Sequence, residues 1–572
     1  MKTQWKIGGE AGFGIMTAGQ IFSKACTRGG LNCFGYTEYP SLIRGGHNTY
    51  QTTVSEDPVG GPMRMVDVLV ALNKETVTLH SEELSEGAAI IYDPDKVQIR
   101  PDEAAKAILV PVTFSKIALE TAGQELMSNN VALGASIAVY DYEIDLLLSV
   151  IKDQFRGKGA EVVSKNLAAA RAGYDYVRQK LPGPYKAKLV KTKKAPNMLM
   201  SGNEAVGAGA IAAGCKFYAG YPMTPTSSLL HFMAANERKY RLVVKQAEDE
   251  ISVINMAIGA GFAGARSMVA TSGGGFCLMT EGYGLAGMTE TPVVIVMGMR
   301  GGPSTGLPTW TEQADLKFLL NAAHGEFPRI VLTPGDMEEL FYSTMKAFNL
   351  AEKYQTPVII ITDKHMAESH ASLGRLDAKA IPIERGELAS ENTAGYKRYK
   401  ITDSGVSPRA LPGQPGNIFV ANSDEHDETG ISTEDSGMRI GMMNKRMRKL
   451  QHAAKEIDGA LLLGPKRADI TLVGWGSTKG AISDAMRLLE AEGIKANHLY
   501  ITAASPFPAE AVGKALKPRK PKLMVELNFS GQMASVIREK TGVEIKNRLL
   551  KYDGRPFYPE EICAEVKKVL GR

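Results

Sequence analysis

Cysteine is scarce in this 572-residue chain, and what there is lies scattered: Cys26, Cys33, Cys215, Cys277 and Cys563 form no C-x-x-C pair. The thiols therefore spell neither a disulfide framework, a zinc site nor a self-contained iron–sulfur site, and a reducing, cytoplasmic setting suits them. Long apolar runs are missing too. No stretch reaches the roughly 18 apolar residues that span a bilayer, and the opening MKTQWKIGGEAG lacks the apolar core expected of a secretory signal. Charge of one sign is also lacking: 67 Lys and Arg stand against 62 Asp and Glu. Neither a basic nucleic-acid arm nor an acidic tail is expected from that balance, so membrane and nucleic acid are excluded as partners.

What the chain does have is glycine (59), methionine (25) and 44% hydrophobic residues against 23% charged ones, the composition of a folded globular protein. At roughly 150 residues per domain the length predicts about three to four domains. Runs of Val, Ile and Leu alternate with helix-length amphipathic stretches, which predicts repeated βαβ units, largely parallel sheets and an α/β fold class.

A first α/β domain is expected over residues 1–181, with strands at Trp5–Ile7, Met65–Ala71 and Ala88–Tyr92 and a closing helix near Leu167–Lys180. Residues 182–197, lysine-rich and bracketed by prolines, predict an extended, solvated linker. A second domain over 198–373 contains the buried-strand candidates Pro292–Met297 and Pro357–Thr362. From 374 to 459 no period of 2 or 3.6 persists, which predicts a loop-rich connecting excursion. A third, smaller α/β domain, 460–572, restarts with Asp469–Val473 and carries a later strand at Lys522–Leu527.

Several segments carry candidate chemistry. Gly8–Gly14 (GGEAGFG) lies between a strand and a helix, where amides and a helix N-terminus can receive a phosphate or simply turn the chain. It lacks the Lys-Ser/Thr of a P-loop and the spacing of a nicotinamide fingerprint. The middle domain offers YPMTPTS from Tyr221, QAEDE from Gln246, TSGGG from Thr271 and RGGPSTG from Arg300. Each follows a predicted strand, and in an open parallel sheet the C-terminal strand ends gather at one crevice. Thr224, between two prolines, can aim its hydroxyl at small entropic cost, or belong to an ordinary turn. Arg300 can clamp a carboxylate through two parallel hydrogen bonds, or make a structural ion pair. The Ser423–Glu428 run reads as a solvated acidic loop, and the histidines lack ligand spacing, so no metal site is assigned.

The combination of YPMTPTS, QAEDE leading into a small-residue helix, ATSGGGFCLMTEG and RGGPSTGLPT resembles the α subunit of thiamine-diphosphate-dependent 2-oxoacid:ferredoxin oxidoreductases. The first domain, with GGEAGFGIMTAGQ and TEYPSLIRGGHN, looks like that family's γ domain fused ahead of α, and the last like its transketolase C-terminal-type domain. Within the family, SLIRGGHN and the γα fusion point to the 2-oxoglutarate type. The resemblance implies that Glu250 activates the cofactor from the pyrimidine-binding domain, that Thr224 and Arg300 are catalytic and hold the oxoacid, and that Tyr221, Pro222, Ser272 and Gly273 contact the cofactor. It also implies that Ser41, Arg44 and His47 bind substrate, a second carboxylate pairing with Arg44 or His47. A glutamate seated against apolar helix residues is raised in pKa by desolvation, which suits it to share a proton with a ring nitrogen. Cys277 is expected to be a small buried residue.

The G-D-G…N sequence that would hold Mg²⁺ against a diphosphate is missing, since Pro334–Met337 lacks the second glycine, and no cysteines are spaced for a [4Fe–4S] cluster. The resemblance thus implies a β subunit carrying both, with thiamine diphosphate shared between the subunits, coenzyme A as co-substrate, ferredoxin as electron acceptor and an (αβ)₂ assembly. Three rivals remain: the same chemistry on pyruvate or another 2-oxoacid, a transketolase-like transfer without redox chemistry, and a non-catalytic scaffold binding coenzyme A or a nucleotide.

Overall fold

The computed structural model describes every residue except Met1, Ile43, Arg44 and Pro518. The chain divides into two compact units, one built from residues 1–201 with 369–376 and 558–560, the other from the remainder.

The first unit is organised by an eight-stranded sheet. Its parallel half runs Ala107–Pro111, Leu84–Tyr92, Val66–Ala71, Lys2–Glu10. The other half, His47–Ser55, Asn32–Glu38, His370–Leu373 and Met198–Ser201, is antiparallel throughout, where the chain pattern predicted parallel units. These strands are short of branched aliphatics, and residues such as Thr52, Thr53 and Gln51 are buried in them, so their inward faces do not announce themselves by hydropathy. The first strand reaches Glu10 and so absorbs Gly8 and Gly9, leaving a shorter turn that ends at Gly14 in the left-handed region (φ 71°) ahead of the helix Ile15–Arg28. Trp5 stacks on Phe22 with ring centroids 4.4 Å apart and donates its indole N–H to Ser136 Oγ at 3.1 Å. The helices Ser128–Val139 and Ala160–Lys180 pack closely because Gly134 and Gly173 have no Cβ: one at 134 would lie 1.9 Å from Ala170 O. The stretch after Leu181 is extended but not free in solvent. Leu189 is buried, its N–H donates to Tyr140 O at 3.0 Å, and Thr192 N–H donates to Gly29 O at 2.8 Å.

The second unit holds two sheets. Six strands of the seven-stranded sheet are mutually parallel, in the order Ile330–Leu332, Pro357–Asp363, Val293–Met299, Ser267–Thr271, Phe217–Gly220, Val243–Gln246, with Ala503–Ser505 antiparallel at one edge. The central pair, Val293–Met299 and Pro357–Asp363, is buried along its whole length, as continuous apolar runs covered on both faces must be. The five-stranded sheet, Ala460–Leu463, Ala496–Ile501, Ile470–Trp475, Lys522–Glu526, Asn547–Leu550, is parallel except at its first strand.

The connecting excursion is corrected in one respect: it contains an 18-residue helix, Ser436–Ala453, started by Asp435, whose side chain accepts from Met438 N–H at 2.7 Å. Its buried face is Met442, Lys445, Arg446, Lys449 and Ala453, so no apolar stripe marks it. The Ser423–Glu428 run is not simply solvated either. Glu425 pairs with Arg446 at 2.7 Å and also with Arg439, and His426 is fully buried.

Candidate active site

Four neighbouring strands of the seven-stranded sheet end at Met299, Thr271, Gly220 and Gln246, and the segments that follow them carry every candidate residue of the middle domain. The crevice at the C-terminal edge of an open parallel sheet is thus populated as the topology demands.

Of the three acids in QAEDE, two are used to start the helix Glu250–Phe262. Asp249 accepts from Ser252 N–H at 2.9 Å and Glu248 accepts from Ser252 Oγ at 2.8 Å. The third turns inward: Glu250 is 2% exposed, and its only side-chain donor among the described residues is Thr271 Oγ1 at 3.4 Å. Burial holds its carboxyl above the usual carboxylate range. Gly275 faces this carboxylate, and a Cβ there would stand 2.2 Å from Glu250 Oε1 and 2.1 Å from Thr271 Oγ1. Gly275→Ala is therefore expected to overpack the site and cost about 1–3 kcal/mol, read as a lowered thermal midpoint; an unchanged midpoint would show that the crevice has slack.

Arg300 is half-buried and forms no ion pair among the described residues; its Nη1 donates to Thr224 O at 2.7 Å. One face of the guanidinium so pins the backbone of the Thr-Pro-Thr turn, and the rest is left for an anionic ligand. Thr224 is itself half-buried, in a turn closed by Thr226 N–H to Met223 O at 2.8 Å and seated on Gly298, where a Cβ would lie 2.9 Å from Pro225 Cγ. Asn203 Nδ2 donates to Pro225 O at 2.7 Å from beneath. Tyr221 and Pro222 are exposed at the mouth. Ser272 is fully buried and its Oγ has no partner among the described residues, at the start of the helix Gly273–Met288. Cys277 on that helix is exposed, not buried as its small size suggested. Sequence reasoning named TSGGG as a segment without giving Thr271 or Gly275 a role, and it passed over the acids Glu312 and Asp315, which lie beyond RGGPSTG.

Thiamine diphosphate fits this donor set. A buried carboxyl poised above its usual pKa suits a ring nitrogen, and the orphaned Ser272 Oγ and the Gly273–Gly275 backbone leave polar groups to satisfy. The remaining candidates lie in the first unit. Ser41 is exposed, and Arg44 lies outside the described residues. His47 Nε2 lies 2.9 Å from His80 Nε2, in a network with Lys6 and Glu83, and burial with the neighbouring His80 takes its pKa down to about 4.

Three family models match the chain: pyruvate ferredoxin/flavodoxin oxidoreductase over residues 4–176, the thiamine diphosphate-binding part of pyruvate flavodoxin/ferredoxin oxidoreductase over 208–445, and core domain II of pyruvate:ferredoxin oxidoreductase over 468–562. A 2-oxoacid:ferredoxin oxidoreductase α subunit from Sulfolobus is 35% identical, the match covering 100% of this chain and 97% of that one. The KorA subunit of a 2-oxoglutarate oxidoreductase from Mycobacterium tuberculosis is 28% identical over 99% and 91% of the two chains. A solved 2-oxoglutarate:ferredoxin oxidoreductase from Magnetococcus marinus, with 2-oxoglutarate, coenzyme A and succinyl-CoA bound, is 33% identical and superposes with a TM-score of 0.93 over 100% of this chain and 99% of that one. Among the described residues no helix is long and apolar enough to cross a membrane. With such identity to α subunits along its entire length and a thiamine diphosphate-binding domain bearing a buried glutamate at the sheet's edge, the chain belongs to the 2-oxoacid:ferredoxin oxidoreductase α subunits.

Proposed function

We propose that this α subunit, with its partner, oxidatively decarboxylates 2-oxoglutarate with coenzyme A and ferredoxin, or runs the reverse carboxylation. The observation that carries the reading is the joint placement of a buried carboxyl, Glu250, and a guanidinium without an ion pair among the described residues, Arg300, at one edge of the parallel sheet. The relative from Magnetococcus marinus, named for 2-oxoglutarate and bound to it, supports the choice of substrate. Thiamine diphosphate, when bound, supplies the nucleophilic carbon and electron sink that the side chains lack.

The chain's own residues do the rest. Glu250 holds the aminopyrimidine ring and shares a proton with its nitrogen, as its buried position favours. Arg300 receives the C1 carboxylate of the oxoacid, and because the same guanidinium anchors the Thr224 carbonyl, substrate carboxylate and Thr224 hydroxyl are registered to one another. Tyr221, Pro222, Ser272 and Gly273 line the cofactor. The partner β subunit is assigned the Mg²⁺ that would hold the diphosphate and a [4Fe–4S] cluster that would supply the electron route to ferredoxin. An (αβ)₂ assembly in the cytoplasm completes the reading, in keeping with cysteines that are scattered along the chain and mostly buried.

The test is to co-purify the chain with its partner and compare 2-oxoglutarate with pyruvate, in the presence of coenzyme A and ferredoxin. Wild type should prefer 2-oxoglutarate by about 10-fold or more in kcat/KM, and Arg44→Ala should narrow that preference. Arg300→Ala should raise KM for both acids about 10- to 100-fold, the worth of a hydrogen-bonded charge. A preference for pyruvate would overturn the substrate, leaving the family membership intact.

A further inference from the structure

Two acids beside the crevice have no part in the reaction as described above: Glu312 and Asp315, which flank Gln313 in the segment TEQAD. That segment is rigidly held. Gln313 is fully buried; its N–H donates to Leu527 O at 2.6 Å, its Nε2 to Trp475 O at 3.0 Å, and its Oε1 accepts from Leu527 N–H at 3.1 Å. Asn528 Nδ2 donates to Gln313 O at 3.2 Å, and Gln532 Nε2 donates to Ala314 O at 2.5 Å. With the middle of the segment clamped, both carboxyls have fixed places. Glu312 Oε2 lies 3.4 Å from where a Cβ on Gly301 would be, next to Arg300. Asp315 Oδ2 lies 2.7 Å from where a Cβ on Gly273 would be, next to the orphaned Ser272.

The Asp315 backbone carbonyl accepts from Leu319 N–H at 2.9 Å, but its carboxylate makes no hydrogen bond or ion pair among the described residues, and the cation that acts on it there is Arg300, which likewise has no ion pair among them. Around it stand Glu312 and Arg300 from the 300–312 loop and Cys277 from the Gly273–Met288 helix, while Glu250 shares the Arg300 field. An oxoacid carboxylate entering at Arg300 would share that cation's field with Asp315. We propose that Asp315 sets the charge of the oxoacid pocket: neutral, it leaves Arg300 to clamp the substrate carboxylate, and ionised, it competes for that guanidinium, so that a solvent proton is taken up by Asp315 as the oxoacid binds. Asp315 acts through Arg300 and is a positioning residue. Burial raises its carboxyl to about 6, so the competition is switched on within the working range of pH. The inference rests on the proposed oxoacid site at Arg300.

The experiment uses the complete αβ complex. The KM for 2-oxoglutarate of wild type is followed from pH 5.5 to 8, and calorimetric titration with 2-oxoglutarate in the Glu250→Gln background, where turnover is suppressed, gives Kd and, from buffers of different ionisation enthalpy, the protons taken up. Kd and KM should weaken about 10-fold across this range, a coupling of ordinary size, with proton uptake at binding. Asp315→Asn should hold Kd within about 2-fold at all pH, tight at pH 8 and without proton uptake, with kcat little moved; Asp315→Ser should behave alike. A variant that keeps the wild-type pH dependence, or a wild type that shows none, overturns the proposal. Turnover of neither 2-oxoglutarate nor pyruvate by wild type would instead bring down the function itself, and this inference with it.

Discussion

Glu250→Gln should lower turnover of the assembled enzyme by about 10²–10⁴-fold, the range of a lost acid–base group, while leaving the fold in place. The reason lies in how the glutamate is held. It is 2% exposed, contacted by one hydroxyl at 3.4 Å, and so is a group whose charged form is poorly solvated and whose proton is readily shared. Glutamine has nearly the same volume and can still accept from Thr271, so packing against Gly275 survives and the thermal midpoint should move little. What it cannot do is carry a proton to or from a ring nitrogen. The two competing readings separate here: a scaffold subunit would show wild-type activity in the variant complex, and that result would sink the catalytic assignment. Steady-state rates on complexes reconstituted from equal subunit amounts, with melting curves as the folding control, make the measurement.

The convergence of four loops at one edge of the second unit's sheet was legible in the sequence because strand–loop pairs in a parallel sheet obey one rule: the segments after the strands gather on one side. YPMTPTS, QAEDE, TSGGG and RGGPSTG each follow an apolar run, and the sheet order brings them together. Asp249 caps the helix and Glu250 turns inward, the local pattern of an acid set just ahead of a helix. What escaped was everything held by polar burial. The helix Ser436–Ala453 hides behind Lys445, Arg446 and Lys449, the residue types least expected inside. The antiparallel half of the first sheet buries threonines and Gln51. Asp315 and Gly275 matter through distances of 2–3 Å to segments far away in the chain, and no periodicity encodes those.

The same polar burial yields the largest stability effect. Glu290 is fully buried and stands 2.5 Å from the ammonium of Lys445 and 2.5 Å from that of Lys449, both also buried, while Arg398 donates to its backbone carbonyl at 2.9 Å. The two lysines hold its carboxyl far below the usual range against the cost of burial. Glu290→Gln keeps the shape but removes the counter-charge, leaving two ammonium groups facing each other out of water, and should cost about 3–5 kcal/mol. The loss should appear as a large drop in the denaturation midpoint of the α subunit. Because the folded pKa is depressed, the wild-type contribution is complete above the ordinary glutamate range and fades as pH falls below it, so the gap between wild type and variant should close in acid. Adding Lys449→Met to the variant should recover part of the stability, since an apolar chain of similar length needs no partner. If Glu290→Gln instead melts like wild type, the triad is wet and the charges, not the apolar layers around them, are the expendable part of this helix's seat.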